Sequence, residues 1–191
     1  MRYAITLPAA LLLLAGAAVG CSSDSDGKPT VSKATSTPTA TATSASPSPT
    51  PSRETYKIGD TLDIETSGYQ FAVTVIAFKD KGITTNVPGL LQDGEKWAQV
   101  EVKVCNAGSE AFSVSPAPWS LAYEDGVRVD ATSISGAELP APEYPVEARV
   151  RGGDCVRGNV PFEVPKEGRP ERVLYAPGDL DEPVEWQLPK G

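Results

Sequence analysis

Few residue types in this chain could do chemistry. Histidine is absent from all 191 residues, and Cys21, Cys105 and Cys155 are the only thiols. Without imidazole there is no Ser-His-Asp or Cys-His nucleophile and no histidine-ligated metal. A blue-copper site, otherwise reasonable for a secreted β-sheet protein, is excluded for the same reason. No Gly-rich phosphate loop followed by Lys and Ser or Thr occurs. Carboxylates remain. Glu124-Asp125 and the group Asp179, Asp181 and Glu182 invite comparison with a glycosidase pair or a set of calcium ligands. Both groups fall among turn residues, where carboxylates are ordinarily solvated, and the second fits no EF-hand spacing. The chain reads as a non-enzyme that needs no metal and no cofactor. A calcium or small-ligand module is the alternative.

The charge balance narrows the partners. There are 25 Asp and Glu against 17 Lys and Arg, a formal net charge of −8. A surface of that sign repels phosphates, so nucleic acid is not an expected partner. Attachment to a membrane must come from something other than a basic patch.

The N-terminus supplies it. MRYAITLPAALLLLAGAAVG has one charge, Arg2, and an apolar core from Ala4 to Val19 interrupted by Pro8. A spanning helix wants about 20 apolar residues, and this run is shorter, so a retained anchor helix is the lesser reading. A basic start, a short apolar region and small residues before a cut describe a secretory signal over residues 1–20. Ala-Val-Gly-Cys21 resembles the lipobox of bacterial lipoproteins. The resemblance implies cleavage before Cys21, a diacylglyceryl group on its sulfur, and a mature chain held at the extracytoplasmic face of the cell membrane. The alternative is an ordinary secretory cut with Cys21 left as a free thiol, a liability in an oxidising compartment. With Cys21 lipidated, Cys105 and Cys155 remain as one disulfide pair. Two thiols alone would not complete a zinc tetrahedron.

Positioning elements follow. In residues 22–55, 22 of 34 are Ser, Thr or Pro, and Val31 is the one large aliphatic. Nothing there repays the entropy of ordering, so 21–55 is expected to be a lipidated, disordered stalk. From Tyr56 the pattern changes to short alternating segments cut by turns, as in an all-β domain over 56–191. Leu62 and Ile64 share a face. Tyr69, Phe71, Val73, Val75 and Ala77 share one face of a segment that reads as central, with Ile76 and Phe78 on the other. Ala98, Val100, Val102 and Val104 point in, while Gln99, Glu101 and Lys103 point out. Asp125-Gly126 between 119–124 and 127–129 signals a hairpin with positive φ at both turn residues. Val156, Val160 and Phe162 share a face, and Pro161 in the same strand belongs at an edge or a bulge. Segments 172–175 and 184–188 close a β-sandwich of about seven to eight strands. Parity puts Cys105 on the outward face of its strand. Reaching Cys155 is therefore expected to need a bulge or twist at the sandwich rim.

A family resemblance covers about residues 56 to 190. Its carriers are Ile58-Gly59-Asp60, the strand from Trp97 to Asn106, Leu121 to Gly126, and Gly152 to Pro165 with its Gly158-Asn-Val-Pro-Phe162-Glu-Val-Pro165 segment. This resembles the immunoglobulin-like domain of bacterial lipoproteins, a family related to a secreted immunoprotective antigen of mycobacteria. Arg151-Gly152-Gly153 stands where members of that family have Pro-Gly. The resemblance implies the sandwich and a cell-surface setting, and carries no activity or catalytic residues.

Two loops hold apolar residues that a solvated loop does not need. One carries Ile83, Val87, Leu90 and Leu91; the other carries Leu139 and Tyr144. They either fold back to cap the sandwich or form a surface for a protein or envelope partner. Trp97, Trp119 and Trp186 read as core or rim packing, not as a carbohydrate platform.

Overall fold

Period-two alternation builds the first sheet. The computed structural model describes residues 29–34, 54–85, 89–136, 139 and 141–191. Its two longest strands in chain order are β4 (Gln70–Lys79) and β5 (Glu95–Asn106). Phe71, Val73 and Val75 of β4 and Ala98, Val100, Val102 and Val104 of β5 are all buried. Each such valine contributes about 1.5–3 kcal/mol through burial. Beside them lie β3 (Thr61–Glu65), β10 (Cys155–Pro165) and β1 (Thr30–Lys33), in the order β1-β3-β4-β5-β10, with every neighbouring pair antiparallel. Segment β4 is central, as its two-sided apolar character predicts.

The second sheet runs β2-β12-β11-β7-β8. Its strands are β2 (Thr55–Lys57), β7 (Trp119–Ala122), β8 (Arg128–Asp130), β11 (Arg172–Tyr175) and β12 (Val184–Gln187). The pairing of β2 with β12 is parallel. A ribbon of β6 (Phe112–Val114) and β9 (Ala148–Val150) completes the chain. One apolar cluster joins residues of both five-stranded sheets, from Leu62, Val73 and Val100 to Trp119, Val173 and Trp186. The fold is an all-β sandwich, as the alternation implies. Among the described residues it has twelve strands where seven or eight are expected, because β2, β6 and β9 are three residues long and too short to show a period, and β1 lies in the polar run.

Four details correct the sequence reading. The stretch expected to be a disordered stalk over 21–55 contains β1. Val31 packs against the core cluster and Lys33 pairs with Asp60 at 2.8 Å, which together order four residues of an otherwise polar run. In β4 the register shifts between Val75 and Ala77, so Ala77 is exposed, and Phe78, opposite buried Val100, returns to the inner parity. A bulge of one residue inverts every later side chain, and nothing in the amino-acid pattern marks it. In the β7–β8 hairpin only Gly126 has positive φ, +89°. Gly126 N–H donates to the Tyr123 carbonyl (3.2 Å) and Val127 N–H to Asp125 Oδ1 (3.1 Å), a three-residue loop ending in a left-handed glycine.

The fourth correction concerns the disulfide. Cys105 and Cys155 are joined and sit directly opposite each other in the β5–β10 register, Cα–Cα 4.0 Å. No bulge is needed. An outward Cys on one strand faces an outward Cys on its antiparallel neighbour, and the bond staples two strands of one sheet at their shared end. Pro161 lies on β10, the edge of that sheet, where a missing N–H costs no ladder bond.

Candidate functional site

The two ends of the sandwich differ in chemistry. One end carries Asp80, buried between Lys96 Nζ (3.2 Å) and Arg169 Nη1 (3.0 Å), with the Arg169 guanidinium 5.0 Å from the centre of the Phe78 ring. Here one carboxylate bridges two cations, one through each of its oxygens.

The opposite end is aromatic and open. Trp119 makes tilted ring contacts with Tyr175 (4.4 Å between ring centres) and Trp186 (6.2 Å). Tyr175 meets Phe71 edge-on (6.5 Å), Phe71 meets Phe112 (5.4 Å), and Phe112 meets Tyr69 (5.8 Å). The rings therefore form a continuous path from the centre of the core to Tyr69, which is 37% exposed. Tilted and edge-to-face contacts of this kind add about 0.5–1.5 kcal/mol each beyond burial. Where the path surfaces it lines a concavity of about 340 Å³ with Tyr69, Phe71, Phe112, Tyr175, Pro177 and Asp179 among its walls. Burial, reinforced by the Asp179 charge, raises the Tyr175 pKa, so its hydroxyl stays protonated through the physiological range. The concavity thus offers apolar ring faces, phenolic hydroxyls and one carboxylate. With Ser113 also on the wall, that set suits recognition by stacking and hydrogen bonding.

The rim of this end is rigid. Asn106 Nδ2 donates to the Glu110 carbonyl (2.8 Å) and the Val150 carbonyl (3.1 Å), while its Oδ1 accepts from Gly108 N–H (2.9 Å). One buried amide thereby ties the loop after β5 to β9. A Cβ on Gly152 would lie 2.6 Å from the Gly108 carbonyl oxygen, so the two rim loops touch backbone to backbone. The disulfide closes the same end.

The sequence-named residues distribute as follows. Leu139 and Tyr144 are buried (6% and 1% exposed), so the partner-surface reading fails for both and the capping reading describes them. Tyr144 is drawn in by backbone pairing. Its N–H donates to the Asn159 carbonyl (2.9 Å), and Asn159 N–H donates to the Pro142 carbonyl (2.8 Å). This segment crosses so close to β10 that a Cβ at Gly158 would sit 2.5 Å from Tyr144 N. Ile83, Leu90 and Leu91 are half-buried, and Val87 lies outside the described residues, as does Cys21. Trp119 and Trp186 are wholly buried, and Trp97 is nearly so. Asp179, Asp181 and Glu182 are exposed, and among the described residues no three His, Cys, Asp or Glu side chains gather as a metal site. The aromatic concavity was not legible in the sequence. Its rings come from β4, β6 and β11 and their flanks, and only the fold brings them together.

The architecture has known counterparts. Residues 56–184 match the family described as a domain of unknown function, DUF4352. The chain belongs to this family. The secreted protein MPT63 of Mycobacterium tuberculosis superposes with a TM-score of 0.56 at 15% identity, over 73% of this chain and 100% of that one. The yjhA protein of Bacillus subtilis superposes with a TM-score of 0.51 at 16% identity, over 70% of this chain and 99% of that one. At such identities the likeness carries the sandwich fold alone. No curated protein matches the sequence.

Proposed function

We propose that this DUF4352 member is a lipid-anchored, extracytoplasmic binding domain that engages a protein or envelope component through the concavity at Tyr69. The observation that carries the reading is the path of packed rings opening at an aromatic-walled hollow on a rigid rim. Aromatic side chains give large contact area for little lost conformational freedom, which is why they dominate recognition surfaces. Three features support the extracytoplasmic setting: the signal-like N-terminus, the joined Cys105 and Cys155, and the fold shared with a mycobacterial protein described as secreted. Binding rather than catalysis is favoured by the absence of histidine and by the engagement of both Asp80 oxygens with Lys96 and Arg169.

The test places a photo-crosslinking amino acid at Tyr69 in the full chain on intact cell envelopes. A saturable adduct is expected. Phe112→Asp should abolish it, and Ile83→Asp should leave it intact. A non-saturable adduct, or one indifferent to Phe112→Asp, overturns the site. Addition of calcium should change neither adduct yield nor melting temperature. The anchor is tested separately, since Cys21→Ser should move the protein from the detergent phase to the aqueous phase.

A further inference from the structure

Strand β1 changes what the Ser/Thr/Pro-rich run does. The strand enters at the aromatic end, where Thr30 faces Glu65, and leaves beside Thr61, where Ala34 N–H donates to the Thr61 carbonyl at 2.9 Å. With β1 docked, the tether between Cys21 and the domain is residues 22–29. Residues 35–53 connect Ala34 to Glu54 and lie outside the tether. Cys21 and Thr30 are nine residues apart, a span of at most about 30 Å at 3.3–3.6 Å per residue. With β1 released, the tether runs from Cys21 to Thr55, and its limit becomes about 110 Å.

The holding contacts are few. Among the described residues of the run, Val31 alone packs against the core, and the Lys33–Asp60 pair is on the surface, with the Lys33 side chain 54% exposed. Surface pairs of this kind hold weakly, and short edge elements with one apolar anchor open at the low end of a protein's local stabilities. Replacement of β1 by the same strand of a second copy is disfavoured, because a connection of this length keeps the chain's own strand at about millimolar effective concentration.

We propose that β1 is a latch on tether length. Closed, it keeps the Tyr69 end within about 30 Å of the bilayer; open, it lets the same end search several times farther. The idea rests on the lipid anchor at Cys21, and the experiment separates the two. The lipidated full chain is placed in phosphatidylcholine–phosphatidylglycerol vesicles containing acceptor-labelled lipid, with a donor dye at Asp93 introduced as Asp93→Cys. Ten Gly/Ser residues are inserted either between Asp26 and Gly27 or between Thr41 and Ala42. The first insertion should lower energy transfer, and the second should leave it unchanged. In the Val31→Asp, Lys33→Glu chain, transfer should be lower at the outset and both insertions should lower it further. Equal effects of the two insertions in the parent chain overturn the latch. If no chain floats with the vesicles, the anchor has failed, and the soluble Cys21→Ser chain decides the latch. There, Val31→Asp with Lys33→Glu should remove hydrogen-exchange protection from Thr61–Glu65, and unchanged protection overturns it.

Discussion

The two edges of the five-stranded sheet are secured in opposite ways. At one edge, β10 pairs with β5 over eleven positions, carries the disulfide, and is overlaid by the 142–144 segment through the Tyr144, Asn159 and Pro142 backbone bonds. At the other, β1 pairs with β3 over four positions and, among the described residues, is held by Val31 and one surface ion pair. An exposed edge is a template for unwanted pairing, so both need covering. The first cover is built into the domain. The second is lent by the polar run that precedes it. The contrast teaches that the domain's integrity and the β1 contact are separable, and three perturbations probe that separation.

The largest effect is expected at the β10 edge. Reduction, or Cys105→Ser with Cys155→Ser, frees a loop with a sequence separation of 50 and should cost roughly 4 kcal/mol by the chain-entropy estimate. Denaturant unfolding monitored by tryptophan emission measures it, since Trp119 and Trp186 are wholly buried. A loss no larger than that from deleting β1 would erase the contrast.

Next comes Gly158→Ala. The added methyl meets Tyr144 N at 2.5 Å and the Glu143 carbonyl carbon and oxygen at 2.6 Å each, all backbone atoms with no rotamer to yield. Overpacking of this sort costs about 1–3 kcal/mol, and here it should also lift the 142–144 segment from β10. Loss of protection at the Tyr144 and Asn159 amides, with the β3 amides unchanged, would place the damage at this edge alone.

These edges also show where sequence reasoning reaches and where it stops. The inward sets of β3, of β5 and of β4 from Phe71 to Val75 were readable because one buried face enforces strict alternation, and the reading failed in β4 only past the bulge. The Cys105–Cys155 pair was readable by count, but its geometry was not. Outward parity looked like an obstacle until the register set the two residues face to face. The Gly158 requirement was invisible, since the reason is another segment's backbone crossing a sheet edge. Strand β1 was missed for the complementary reason: composition over a long window outvotes a Val and a Lys that find partners only in the folded domain. The aromatic hollow follows the same logic, because Phe71, Phe112 and Tyr175 are far apart in the chain and meet only through three different strands.

The smallest effect, and the sharpest on the β1 side, is acid opening. The hydrogen bond from Lys33 holds the Asp60 carboxyl below its ordinary value of 3.8, and the Lys57 N–H, donating to Asp60 Oδ2 at 3.0 Å, adds to it. A lowered pKa in the folded state means that the contribution is present above the unfolded value and is lost as pH falls through the folded one. Protection of the Thr61–Glu65 amides should therefore hold down to about pH 4 and weaken below it, while protection along β10 stays level. Asp60→Asn isolates this carboxylate from Asp63 and Glu65, the others on the same edge; it should show weak β3 protection already at neutral pH, with little further change on acidification. High salt should reproduce part of the loss, because both partners reach solvent. If β3 and β10 lost protection together on acidification, β1 would belong to the cooperative core, and the difference between the two edges would be one of length only.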